Sequence, residues 1–285
     1  MKRTEGTGIK AWELTDEMWE VAQQFIPQRK REEGKTYQRK PGGGRKPLPP
    51  RQVLAGIFFV LRTGIQWKAL PKEYGAASSI HEYFSTWAQA GLFMRLWQEG
   101  LLSYDELCGI GWGWQSTDGC MVKAPLAQES VGKNPTDRGK KGTKRSLTVE
   151  SHGLPIGIVI SAANRHDIKL LEATLQSIIT AHPEGSTMCL DAGYLGAQSI
   201  VETMGYVGHI RGRGEQKQEY EKNPLFKARR WVVEVCHSWL NRFRKLLVRY
   251  EKKHALIWLY CILLVPLSFG VRLFPFIQGL FQDKL

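Results

Sequence analysis

Several things that would assign a 285-residue chain to a familiar class are missing from this one. It has five cysteines, Cys108, Cys120, Cys189, Cys236 and Cys261, an odd number with no two closer than 12 positions. That spacing excludes a disulfide framework and C-x-x-C metal or redox sites, and it fits a reducing compartment. No basic segment followed by an apolar core opens the sequence, because Lys2 and Arg3 lead into Glu5, Gly6 and Gly8; the expectation is a cytoplasmic, nucleoid-associated protein. The longest apolar run, Ala255–Val265, is interrupted by Pro266 and is too short for a bilayer, so it reads as a buried helix covering a sheet, with no membrane partner. Hydrophobic residues at 42% and charged residues at 24% are ordinary for a globular chain long enough for two domains.

What the chain has in excess is positive charge, and it is clustered. Lys and Arg number 40 against 27 Asp and Glu, a net +13. Residues 25–51 carry +7, residues 133–145 carry +5 and residues 227–253 carry +7, so the other 218 residues carry −6. Basicity confined to three windows is the footprint of a phosphate-backbone binder, and DNA is the expected partner.

The apolar rhythm divides the sequence. Leu14–Ile26 reads as a helix capped at Thr15, with Asp16 and Glu17 in its first turn. A basic, Gly/Pro-rich arm follows over 28–51, and Arg29, Lys30, Arg31, Arg39, Lys40, Arg45 and Lys46 are its candidate DNA contacts. A helix from Arg51 to Gly64, a short segment with Trp67, Leu70 and Tyr74, and a helix Ile80–Ala90 capped by Ser78 or Ser79 give the order of a helix-turn-helix unit. Tyr83, Phe84 and Trp87 suit its core, leaving Ser79, His81, Glu82, Ser85 and Thr86 as possible base readers. After a further helical stretch over 92–110, β-type runs appear at Trp112–Val122, Arg145–Glu150, Leu154–Ala162 and Ser186–Asp191, with a helix near Ile168–Thr180 and a long helix from Phe226 through Lys253. The expectation is an α/β fold with a helical DNA-binding domain at 1–103 and a catalytic domain at 104–285.

Within those runs, carboxylates stand where they are costly. Asp118 lies inside an apolar-flanked strand, and Asp191 follows Met188-Cys189-Leu190. A charged group there needs a partner or a metal ion. Glu234 sits in a helix whose apolar stripe is read as Trp231, Val235, Trp239, Phe243 and Leu246, with Arg230, Glu234, His237, Asn241 and Arg244 on the adjoining polar face. Three hard-oxygen ligands on two strands and a helix suit two-metal phosphodiester chemistry, in which ions about 3.5–4 Å apart bracket the scissile phosphate. Each acid alone could equally be a salt-bridged structural residue.

The combination of QSTDGCMVKAP around Asp118, NPTDRGKKGTKRSL, NRHD at Asn164–Asp167, CLDAGY around Asp191 and ARRWVVEVCHSWLNRFRKLLVRYEK around Glu234 resembles the insertion-sequence DDE transposases of the IS-five group. LTDEMW, KPGGGRKP and VLRTGIQWKALP resemble the same family, so the likeness runs from about residue 12 to 265. It implies a ribonuclease-H-like core in which Asp118, Asp191 and Glu234 are catalytic and hold two Mg²⁺ ions, with Mn²⁺ as a substitute. It further implies binding of the element's terminal inverted repeats, end cleavage, joining to target DNA, and a homodimer on DNA. In the family's Y-x-x-R-x-x-x-E-x-x-x-x-x-x-K signature, Arg230 and Glu234 match while Lys227 and Asn241 replace the outer Tyr and Lys. Arg138, Lys140, Lys141, Lys144, Arg145, Arg230, Arg242, Arg244 and Lys245 are expected on phosphate. The competing readings are a metal-dependent nuclease that does not join strands and a transposase-derived DNA-binding regulator. His166 and Asp167 either cap the following helix or orient a loop of the site.

Overall fold

Pro50 opens the first long helix because proline at the first helical position gives up no hydrogen bond the helix would have made. In the computed structural model, which describes residues 13–28, 46–210 and 229–254 together with positions 34, 36, 38, 212, 221 and 261, the chain forms two compact units. A helical unit ends at residue 96 and an α/β unit spans 97–269.

In the helical unit, α1 (Asp16–Gln23) is capped by Thr15, whose Oγ1 accepts from the Met18 N–H at 3.3 Å. An ion pair between Arg51 and Asp16 ties it to α2 (Pro50–Thr63). The face read from the sequence on α2, Val53, Leu54, Ile57, Phe58, Val60 and Leu61, is buried, each large side chain being worth about 1.5–3 kcal/mol. Gly64 stops the helix at φ +68°, a left-handed position that suits glycine. Two 3₁₀ turns, Trp67–Ala69 and Lys72–Tyr74, lead to α3 (Ala77–Gln89), whose Ile80, Phe84 and Trp87 are buried at helical spacing. Neither expected serine caps α3. The N-cap position is Ala76, and Ser78 and Ser79 lie inside the first turn, where their small side chains are tolerated. The chain then turns at Gly91 into α4 (Leu92–Cys108).

The α/β unit is built on one mixed sheet. Its strands are β1 (Trp114–Lys123), β2 (Gly132–Lys133), β3 (Lys141–Glu150), β4 (Pro155–Ala162), β5 (Ser186–Leu190) and β6 (Tyr206–Ile210), in the order β2-β3-β1-β5-β6 with β4 also paired to β3. β1, β3 and β4 are antiparallel neighbours, whereas β5 runs parallel to β1 and β6 parallel to β5. The connection from β4 to β5 carries α5 (Ile168–Gln176), and that from β5 to β6 carries α6 (Gln198–Thr203). β3 is buried over nine consecutive residues after Lys141. Successive side chains on a strand point to opposite faces, so β3 must be covered on both. Ser146 bonds Thr174 of α5, while its neighbour Arg145 reaches Asn241 at the end of α7 (Trp231–Leu240), which places the two helices on opposite faces.

The expected uninterrupted helix to Lys253 is broken. α7 ends at Leu240, a single turn α8 (Arg244–Leu247) follows, and Val248 then bridges Lys123. The break frees carbonyl groups that a continuous helix would consume: Arg145 donates to the Leu246 carbonyl, and Arg249 donates to those of Glu251 and Lys252. Of the expected covering helix Ala255–Val265 only Cys261 is described, and it is buried. Among the described residues no helix is long and apolar enough to cross a membrane.

Candidate active site

Parallel pairing of β1 and β5 sets the central geometry. Ser116 is opposite Cys189, and the Ser116 hydroxyl donates to the Cys189 carbonyl at 3.1 Å. Two residues further along the chain in each case stand Asp118, on β1, and Asp191, the residue after β5. The side-chain period of two and the common direction of the strands bring Asp118, midway along β1, to the face on which Asp191 leaves the carboxyl end of β5.

Asp118 is half-buried, and its Oδ1 accepts the Gly119 N–H at 2.7 Å. Its pKa is pushed up to about 6, first by burial and then by the negative charges of Asp191, Asp167 and Glu234, with the Gly119 N–H acting in the opposite direction. Asp191 caps the 3₁₀ turn Ala192–Tyr194, its Oδ1 accepting the Gly193 N–H at 2.8 Å, and its Oδ2 lies 3.7 Å from Arg230. Glu234 is one turn beyond Arg230 on α7 and is exposed. Among the described residues no three His, Cys, Asp or Glu side chains are disposed to hold a metal ion, although the charges of Asp191 and Glu234 both reach Asp118.

The face of α7 turned to the sheet differs from the sequence reading. Val232, Val233, Cys236, His237 and Leu240 are buried, while Trp231, Val235 and Trp239 are only partly covered. The short helix is rotated so that His237, expected on the polar face, points inward and its Nε2 lies 3.3 Å from the Asp118 carbonyl, to which it donates. Burial and the nearby Arg145 charge push the His237 pKa down to about 3, so the ring is neutral and α7 is pinned to the backbone of Asp118.

The cations separate into two groups. Arg138, Lys140, Lys141, Arg242 and Arg244 are exposed, and Arg138 and Gly139 form a left-handed turn at φ +52° and +71°. Lys144 and Arg145, expected on phosphate, are buried instead. Lys144 Nζ bonds Asp167 Oδ2 at 2.9 Å and the Arg165 carbonyl at 2.8 Å, and fully buried Arg145 bonds Asn241 Oδ1 at 2.6 Å. They lie on the central strand, where water and phosphate do not reach. Lys245 is likewise engaged, 3.1 Å from Glu251 with its side chain 11% exposed. Arg249, not singled out in the sequence, is also fully buried and bonds Thr143 Oγ1 at 2.8 Å. Lys46 is exposed, whereas Arg29, Lys30, Arg31, Arg39, Lys40 and Arg45 lie outside the described residues. Ser79 and His81 are partly covered, His81 packing edge-on against Trp67 with ring centroids 5.0 Å apart, while Glu82 and Thr86 are exposed.

Sequence reasoning also passed over Gly119. A Cβ there would collide with Asp167 Oδ1, so only glycine can follow Asp118 while Asp167 holds its place. An isolated glycine inside a strand pattern was the available signal for such a close approach.

Residues 14–97 match the family described as "Putative transposase of IS4/5 family", and residues 115–265 match the family described as "Transposase DDE domain". The chain is 28% identical over 134 residues, 43% of its own length, to the "Putative transposase for insertion sequence element IS402" of Burkholderia cepacia, and the match covers 60% of that relative. It is 29% identical over 124 residues to the "Insertion element IS402 uncharacterized 16.2 kDa protein" of the same organism, again 43% of this chain and 80% of the relative. No solved structure matches. The DDE-domain match spans more than half of the chain and includes Asp118, Asp191 and Glu234, and with the N-terminal match it shows that the chain belongs to the insertion-sequence DDE transposases.

Proposed function

We propose that this protein binds the terminal inverted repeats of its own insertion sequence, cleaves at the ends and joins the freed 3′-hydroxyl to target DNA. The observation that carries this reading is the placement of Asp118 on β1 and Asp191 just past the end of the parallel β5, with burial first and the surrounding acids second raising the Asp118 pKa to about 6. The strand order supports a ribonuclease-H-like core, since an antiparallel β4-β3-β1 meander continues into parallel β5 and β6.

The donor set fits divalent cations. Carboxylate oxygens are hard ligands, and the burial and neighbouring negative charge that raise the Asp118 pKa are what a bound cation offsets. Asp118 and Asp191 would hold Mg²⁺, with Glu234 from α7 as the third acid; when bound, two such ions supply activation of the attacking oxygen and stabilisation of the leaving one. The chain's own part is arrangement. Neutral His237 keeps α7 against β1, and Arg230 places a positive charge beside Asp191. Exposed Arg138, Lys140, Lys141, Arg242 and Arg244 grip phosphate, and the helical unit with the basic arm recognises the ends. Joining two ends calls for a homodimer on DNA, working in the cytoplasm.

The test uses purified protein, Mg²⁺ and a DNA fragment bearing the inverted repeats that flank the gene. Cleaved and joined product is expected, lost in Asp118→Ala while end binding persists. Cleavage without joining would make the protein a nuclease, and binding with no cleavage would make it a regulator.

A further inference from the structure

Tyr194 closes the 3₁₀ turn that Asp191 caps. Its ring is packed among Leu171, Met188, Leu190 and Val201, and the residue is 1% exposed. Its hydroxyl is fully buried, yet it has no hydrogen-bond partner among the described residues. Such an orphaned donor is destabilising, and in a native fold it calls for an explanation. The surroundings supply one. Asp167, Asp118 and Asp191 all lie within electrostatic reach of this hydroxyl, and burial together with their charges holds the phenol above its ordinary range, so it remains a donor.

A matching acceptor is the carboxylate whose charge acts most on this hydroxyl, Asp167. Asp167 Oδ2 is held by Lys144, whose side chain is 6% exposed, while Asp167 Oδ1 is buried with no hydrogen-bond partner among the described residues. The missing Cβ of Gly119 gives Asp167 its room directly beside Asp118. The acid pair is thus backed by a carboxylate anchored to a buried lysine and by a buried hydroxyl.

We infer that Tyr194 is a positioning residue of the site: its hydroxyl donates a hydrogen bond into the Asp118–Asp167–Asp191 group when Asp118 and Asp191 close on a divalent cation, with Lys144 fixing Asp167 behind them. The inference rests on the transposase reading above. A hydroxyl left unpaired in the resting fold and paired in the loaded one trades stability for cation affinity. A purely structural hydroxyl would do the reverse.

Tyr194→Phe separates the two, because it removes the hydroxyl and keeps the ring. Mn²⁺ binding to the full chain is measured by calorimetry and by the paramagnetic resonance of free Mn²⁺, and Tm is measured in EDTA, for the wild type, Tyr194→Phe and Asp118→Asn. The expected result is Mn²⁺ binding weakened about tenfold or more in Tyr194→Phe, with a Tm in EDTA equal to or above that of the wild type. Unchanged Mn²⁺ affinity overturns the inference, and so does a lowered Tm, which would mark the hydroxyl as structural. If Asp118→Asn binds Mn²⁺ as the wild type does, or the wild type binds none, the carboxylate reading itself fails and the inference with it. Loss of binding in Asp118→Asn but not in Tyr194→Phe removes the inference alone.

Discussion

The two units bury different things. Among the described residues, the core of the helical unit consists of Val53, Leu54, Ile57, Ile80, Phe84, Trp87 and their apolar neighbours, whereas every buried polar or charged residue lies between Gln115 and Arg249, in the α/β unit. An apolar core asks only for volume and shape, so it tolerates exchange. A core that contains Lys144, Arg145, Glu150, His237 and Arg249 demands a partner for each polar atom and is therefore specified residue by residue. The acids of the candidate site stand at the edge of that second kind of core.

The largest expected effect tests this contrast directly. Arg145→Ala strips the partner from Asn241 Oδ1 and the Leu246 carbonyl and should lower stability by about 3 kcal/mol or more. Leu54→Met in the helical core should lower it by less than about 1.5 kcal/mol. Denaturant unfolding of both variants measures the difference, and equal losses would erase the distinction between the two cores.

An intermediate effect concerns pH. Asp118, raised from 3.8 to about 6 in the fold, contributes stability that is present below its unfolded value and lost as pH rises through about 6. His237, lowered from 6.5 to about 3, contributes stability present above 6.5 and lost as pH falls toward 3. Between pH 6 and 4 the two offset each other. Asp118→Asn, unfolded in EDTA, should therefore be more stable than the wild type at pH 7, yet lose stability relative to it by up to about 1.4 kcal/mol per pH unit on acidification from 6 to 4. Parallel stability profiles for the two proteins would contradict the assignment of these shifts.

The smallest effect on stability is expected where the basic stretch of residues 133–145 meets solvent. Arg138→Ala and Lys140→Ala should each alter stability by no more than about 0.5 kcal/mol, while each reduces the salt dependence of DNA binding by about one counterion. An unchanged salt slope would show that these side chains do not touch phosphate.

Much of the site was legible because acids on buried strands are conspicuous. Asp118 and Asp191 stood out against Val122 and Leu190, and α2 announced itself through its apolar spacing and Gly64. What escaped notice depended on the third dimension. Lys144 and Arg145 read as solvated cations because they end a basic run, and only the position of β3 between α5 and α7 buries them. The face of α7 was misjudged because tryptophans outweigh a histidine on a helical wheel, whereas the sheet takes up His237 and leaves Trp231 and Trp239 at the edge. The break at Asn241 was hidden because the residues around it are adequate helix formers, and the carbonyls claimed by Arg145 and Arg249 override that preference.

The hydrogen bond from His237 to the Asp118 carbonyl joins residues 119 positions apart in sequence. During synthesis at 5–20 residues per second, about 6–24 s separate the emergence of these two residues from the ribosome. The β1-β3-β4 meander, made of nearby segments, can zip together early, whereas β5, α7 and the bridge at Val248 close only across long loops, which is the slow part of folding. The acids are thus kept apart by the order of the chain itself, and a nascent or truncated protein that stops short of α7 holds Asp118 and Asp191 without Glu234.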